Sequence, residues 1–156
     1  RDNLWVAFQD DRTGGGYDVF LRWSEDGGKS WVSEVETRME TDDNGAAQSY
    51  YPKIAINGDL WGVAWLDYRD DLEGIGFNDL YYQYTVNAGT DWQTSDVRIN
   101  STSPATSYAV DHSFYLLDDA AVTVWADGRF GSSDVFSASR ALGVQSVYVA
   151  AEGEAK

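Results

Sequence analysis

The sequence predicts an all-β chain made of repeated four-stranded antiparallel units. Three observations carry that expectation. Apolar and polar residues alternate over short runs. Aromatic residues make up 15% of the chain, with 7 Trp and 10 Tyr, which suits pleated sheets better than helices. Finally, 15 Gly against 2 Pro break the runs with tight turns. At 156 residues the chain has the length of one domain, and 43% hydrophobic residues are enough for a core.

Each element follows from an internal repeat. Leu4 to Trp31, Leu60 to Trp92 and Ala120 to Ser146 align. Each opens with an alternating strand ending in aromatic-x-Asp-x-Arg. A Gly-rich turn follows, and then an Asp that begins a second strand. The anchoring aromatics Phe8, Trp65 and Trp125 lie 57 and 60 residues apart. The Asp/Arg pairs are Asp10 with Arg12, Asp67 with Arg69, and Asp127 with Arg129; the acids of the second strand are Asp18, Asp79 and Asp134. In the middle unit the spacing predicts strands A to D over Tyr51–Asn57, Leu60–Tyr68, Asp79–Thr85 and Asp96–Asn100. In the third they fall near Val110–Leu116, Ala121–Trp125, Asp134–Ser139 and Ser146–Ala150.

A four-stranded unit recurring about every 60 residues is what a β-propeller blade needs. The chain is expected to be a single partial propeller over 1–156. Blade 1 covers about 1–46 and lacks its inner strand, blade 2 about 47–104 and blade 3 about 105–156. Three blades make half of a six-bladed ring. An open arc leaves two sheet faces uncovered, so a second copy or further blades are expected to close it.

Ser24 to Trp31, SEDGGKSW, reads Ser-x-Asp-x-Gly-x-x-Trp. Ser24 and Asp26 are set to accept backbone N–H groups inside a hairpin turn. Gly28 supplies a positive φ, and Trp31 folds back over apolar surface. Thr85, Asn87, Gly89 and Trp92 repeat the roles; Ser139, Ala141, Gly143 and Ser146 are a faint third copy. The series resembles the Asp-box (BNR) repeat of sialidase-like propellers over nearly the whole chain. The resemblance implies structural turns on the face opposite an active site, and an extracellular or cell-surface setting. It also implies an arginine-bearing early strand, for which the nearest match, YPKIA (Tyr51 to Ala55), carries Lys53. Lysine lacks the planar fork that a substrate carboxylate favours.

The formal net charge of −15 repels phosphates and argues against a nucleic-acid partner. No apolar run is long enough for a membrane-spanning helix. There are no cysteines, hence no disulfide or thiolate metal site. Arg1 opens the sequence without a Met or a signal peptide, which predicts a mature or partial form.

Arg12, Arg69 and Arg129 form either a ring for anions or sugars, or braces paired with the Asp residues of their own blades. Asp70, Asp71 and Glu73, in the longest B–C loop, suit calcium or are simply solvated; METDDNG (Met39 to Gly45) has the same two readings. No cofactor is required. His112, the only histidine, lies on an inner strand facing a ligand or the core. Tyr17, Tyr50, Tyr51 and Tyr68 are rim aromatics on which sugar rings can stack. No catalytic set can be assembled from these residues. Three functions fit: a non-catalytic glycan-binding or scaffold unit, half of a sialidase-like glycoside hydrolase whose catalytic groups lie on absent blades, or a purely structural interaction module.

Overall fold

The computed structural model describes residues 2–32, 36–71, 76, 78–100, 109–128 and 134–143. Arg129, Glu73, Ser146 and the expected last strand of blade 3 lie outside them. The described residues form three antiparallel sheets and no helix. Blade 1 is β1 (Leu4–Asp10), β2 (Asp18–Ser24) and β3 (Thr37–Arg38). Blade 2 is β4 (Ser49–Asn57), β5 (Leu60–Asp67), β6 (Asp79–Thr85) and β7 (Val97–Arg98). Blade 3 is β8 (Ala109–Leu116), β9 (Ala120–Asp127) and β10 (Asp134–Ala141).

Sheet order follows chain order, and β1 is an edge strand, as a blade without its inner strand requires. The outer strand β7 is shorter than expected. Its flanking side chains turn inward, Asp96 to Arg69 and Asn100 to Asp79.

Burial follows from the stacking. Every residue of β5 and β6 is buried, because blade 2 has a neighbour on both faces. Odd-numbered β5 residues face blade 1, where Val63, Trp65 and Tyr81 pack with Val19, Leu21 and Met39. The even-numbered ones face blade 3, where Ala64, Leu66, Tyr82 and Tyr84 pack with Phe114, Leu116 and Trp125. The end blades are one-sided. β9 alternates buried and open positions, and Val135 on β10 is 78% exposed.

Two of the three predicted turns form, and the third runs into Ser146, outside the described residues. Ser24 Oγ donates to Asp26 at 2.8 Å, and Asp26 accepts the N–H of Ser30 at 2.8 Å. Thr85 donates to Asn87 at 2.7 Å, and Asn87 accepts the N–H of Asp91 at 2.9 Å. Gly28 and Gly89 have φ of +88° and +86°. Trp92 pairs back to Thr85 and packs on the first seam, while Arg22 stacks over Trp31 at 5.4 Å.

Gly62 sets the approach of blades 2 and 3. A Cβ there would lie 3.0 Å from both Phe114 and Leu116. Gly62→Val is therefore expected to overpack the seam and cost about 1–3 kcal/mol, read as a lower denaturation midpoint by tryptophan fluorescence.

Candidate functional site

The carboxylate that ends strand B (Asp10, Asp67 and Asp127) organises the B–C end of its blade. Asp67 accepts the Trp65 indole N–H at 2.8 Å and the Arg69 guanidinium at 2.5 Å. Trp125 donates to Asp127 in the same way at 3.1 Å. Arg69 also binds Asp96 at 2.7 Å and lies 4.3 Å over the Tyr81 ring. Arg12 repeats this with Asp10 at 2.8 Å and lies 4.9 Å over Phe20. Both arginines are thus braces between their own Asp and a strand-C ring.

The strand-C acids have different partners. Arg38 binds Asp18 at 2.7 Å, and Arg98 binds Asp79 at 2.8 Å. Sequence reasoning missed this second arginine pair, although Thr-Arg-Met-Glu and Val-Arg-Ile-Asn stand 60 residues apart. Asp70 accepts the Tyr81 hydroxyl at 2.6 Å and lies 3.4 Å from Arg98. Asp71 accepts the N–H of Gly76 at 2.8 Å.

The four rim tyrosines come together. Tyr50 lies 5.5 Å from Tyr17, 5.9 Å from Tyr51 and 5.7 Å from Tyr68, centroid to centroid. Gln48 accepts the Tyr50 hydroxyl at 2.9 Å, and Asn78 donates to that of Tyr68 at 3.2 Å. Burial, then Tyr68, Tyr17 and Tyr51, push the Tyr50 phenol above its ordinary range, so it stays a neutral hydroxyl.

Tyr51 is 57% exposed and has a φ of +56°, a conformation that costs a bulky residue strain. The strain has a local cause. The strand bulges between Tyr50 and Lys53, and the Tyr51 N–H donates to Gln9 of blade 1 at 2.8 Å. The bulge turns one aromatic ring outward from an otherwise regular inner strand.

Past Tyr51 the inner strands frame an open groove of about 540 Å³. Lys53 and Asp111 pair across it at 3.3 Å, and Trp5, His112, Ser113, Phe114 and Tyr115 complete the polar and aromatic lining. His112 is 4% exposed. Burial holds its pKa down at about 4, against the backbone of Ala64, which favours the charged ring. At neutral pH the groove therefore holds an uncharged imidazole and a self-neutralised ion pair beside aromatic faces. These groups can donate and accept hydrogen bonds from hydroxyls and cover apolar C–H faces.

No family model matches the chain, and no curated protein matches it. Solved structures do. The α-L-arabinanase of Penicillium chrysogenum, complexed with arabinobiose, matches at TM-score 0.58 and 17% identity over 90% of this chain and 41% of that one. The GH93 α-L-arabinofuranosidase of Fusarium graminearum, also with arabinobiose, matches at 0.56 and 12% over 89% and 41%. The chain is part of a β-propeller. It spans about two fifths of the length of these structures, and the likeness is one of fold.

His112 is expected to stay uncharged from pH 8 down to about 5. Its folded pKa is depressed, so its share of stability is present above 6.5 and is lost as pH falls through about 4. As the only histidine it gives one imidazole resonance, whose pH titration by NMR checks this directly.

Proposed function

We propose that this chain is the glycan-binding arc of an extracellular propeller of the Asp-box, sialidase-like kind, and that it binds uncharged sugars without cutting them. The observation that carries the reading is the cluster of tyrosines around Tyr50, open beside the inner-strand groove. Such rings stack on the C–H faces of sugars. His112, Lys53, Asp111 and Ser113 offer hydrogen bonds alongside.

Two further observations support the details. Arg12, Arg38, Arg69 and Arg98 are each paired with carboxylates, which leaves them engaged where an acidic sugar would need one. The matching turns at Ser24 and Thr85 support the Asp-box reading. Arg12, Arg69 and Tyr68 remain flanking candidates, the two arginines as braces of the rim, and Arg129 stays a candidate from its place in the repeat alone. Calcium at Asp70, Asp71 and Glu73 is an optional addition, and chelator would then lower the melting temperature.

A second reading has one observation in its favour. The matched structures are glycoside hydrolases, and Asp111 puts a carboxylate in the groove. Hydrolysis uses a pair of carboxylates, so the other would come from the remaining blades. Those blades, or a second copy, would cover Val135, Tyr115 and Leu117 on one end face and Leu4 and Val6 on the other. A six-bladed ring is the closure we favour. A purely structural ring is the outcome if no sugar binds.

Titration with arabino-oligosaccharides, neutral hexose oligomers and sialosides decides among these readings. Neutral sugars should bind and sialosides should not. Tyr51→Ala should weaken binding about tenfold, the scale of one lost aromatic contact, with no reducing sugar released. Release of sugar would favour the hydrolase, and tighter sialoside binding would overturn the neutral-ligand reading. Sedimentation at micromolar concentration tests closure: a stable monomer of 17.3 kDa with no partner contradicts it.

A further inference from the structure

Glu40 is surrounded by more negative charge than its neighbours can balance. The residue is 5% exposed, and the carboxyl oxygens of Asp18, Glu40 and Asp42 lie within 4.8 Å of one another. One guanidinium nitrogen of Arg38 reaches all three, at 2.7 Å, 3.2 Å and 2.8 Å respectively, and so stands where the calcium reading of Met39 to Gly45 would put a cation. Asp67 adds a further negative charge from β5, and Arg69 is already shared by Asp67 and Asp96, with Asp42 at 3.9 Å. Five acids thus share two guanidinium groups.

Blade 2 shows what this position does. Met39 donates its N–H to the Val19 carbonyl at 2.8 Å, and Ile99 donates to Leu80 at 2.8 Å. Those bonds make Glu40 the counterpart of Asn100, and Asp18 the counterpart of Asp79. Asn100 accepts the Leu80 N–H at 3.0 Å through its amide oxygen and donates its amide N–H to Asp79 at 2.5 Å. Glu40 accepts the Val19 N–H at 2.8 Å. The first half of the pattern is identical. The second half needs a donor aimed at Asp18, and a carboxyl group is a donor only while it keeps its proton.

We propose that Glu40 is protonated in the folded protein at neutral pH and donates that proton to Asp18, so that a carboxyl–carboxylate pair closes blade 1 as an amide–carboxylate pair closes blade 2. The proton resides on Glu40 because Asp18 has the better anion site. Arg38, the Thr13 hydroxyl and the Gly45 N–H, at 3.1 Å and 3.2 Å to its two oxygens, all point at Asp18.

The electrostatic surroundings agree. Burial and then the Asp18 hydrogen bond push Glu40 up to about 8, with Asp67 adding to the rise and the Val19 N–H and Ser49 opposing it. Burial resists ionisation of Asp18, but Arg38, Thr13, Gly45 and Glu40 hold it below its ordinary value. The two groups share one proton, so the transition belongs to the pair.

The consequence is an alkaline latch. The folded state holds a proton that the unfolded chain has released, so this contribution is whole below 4.5 and is lost as pH rises through about 8. Across that window the folding constant falls by up to about tenfold per pH unit. Asp18 also anchors Gly45, which packs against Gly14–Gly16 beside Tyr17. Release of the latch therefore loosens the loop behind the tyrosine cluster.

The test is denaturant unfolding of the wild type and Glu40→Gln from pH 7 to 8.5, above the 6.5 at which the unfolded His112 titrates. Gln keeps the acceptor and supplies the donor permanently. The wild type should lose stability across this range, while the variant stays flat and is the more stable of the two at pH 8.5. Equal slopes in the two proteins overturn the proposal. Wild-type protein carrying ¹³C-carboxyl glutamate gives a second readout that does not depend on the variant folding. One glutamate resonance should stay at the protonated position at pH 7 and move near pH 8. All glutamates at the carboxylate position at pH 7 would refute it.

Discussion

A β-sheet has two faces, and in a stack of blades only another blade can cover each of them. That geometric constraint governs where the side chains of this protein go. The middle strands β5 and β6 are buried at every position because their odd and even residues meet different neighbours. The residues follow from the space available. Blade 2 turns Trp65 and Tyr81 toward blade 1, and it places Gly62 where Phe114 and Leu116 press closest. Where no neighbour lies, the surface is finished differently at the two ends. Blade 1 caps Phe8 and Phe20 with the Arg12 guanidinium, whereas blade 3 leaves Val135 and Tyr115 open.

The electrostatics follow from the same repetition. Each blade brings its acids to the same end of the sheet, so a chain of net charge −15 crowds carboxylates at the B–C loops. Buried carboxylates persist only when paired and hydrogen-bonded. The structure meets this with two sets of arginines, one beside Asp10 and Asp67 and one beside Asp18 and Asp79. The first seam is fastened across blades as well. Thr41 and Asp96 exchange hydrogen bonds at 3.1 Å in both directions, and Arg69 joins Asp96 to Asp67. One end of the seam is thus ionic. Further along, it is aromatic, with Trp61 edge-on to Trp5 at 5.2 Å and to Trp23 at 5.6 Å.

Much of the fold was legible because repetition writes the same physical requirement several times. The strands of blade 2 and the missing inner strand of blade 1 could be read from the spacing of Phe8, Trp65 and Trp125. The turns could be read from Ser24 to Trp31 and its weaker copy. The site was less legible. That Tyr17, Tyr50, Tyr51 and Tyr68 meet depends on a bulge and a positive φ at Tyr51, and neither has a local sequence signal in a bulky residue followed by Pro52. The arginines could be read as braces from the Asp two residues before each, but the second partner could not, because it lies as far as 27 residues away, as Asp96 does from Arg69. Arg38 and Arg98 were not legible because they lie on two-residue outer strands, beyond the stretch over which the Asp-x-Arg pattern repeats. His112 could be placed on an inner strand, but its burial depends on the packing of β8 against blade 2.

The uneven burial of the three blades also sets how the molecule comes apart. Free energies of local opening in a folded chain range from near zero to the full stability of the domain, and stacked repeats come apart largely through nearest-neighbour contacts. The amides of β5 and β6 are enclosed on both sides, so their hydrogens exchange with solvent only when the whole arc opens. Those of β10, which has one open face, exchange through fraying that leaves the rest intact. Any blade stacked on either end would convert a fraying strand into an interior one, so slowed exchange in β10 reports ring closure residue by residue.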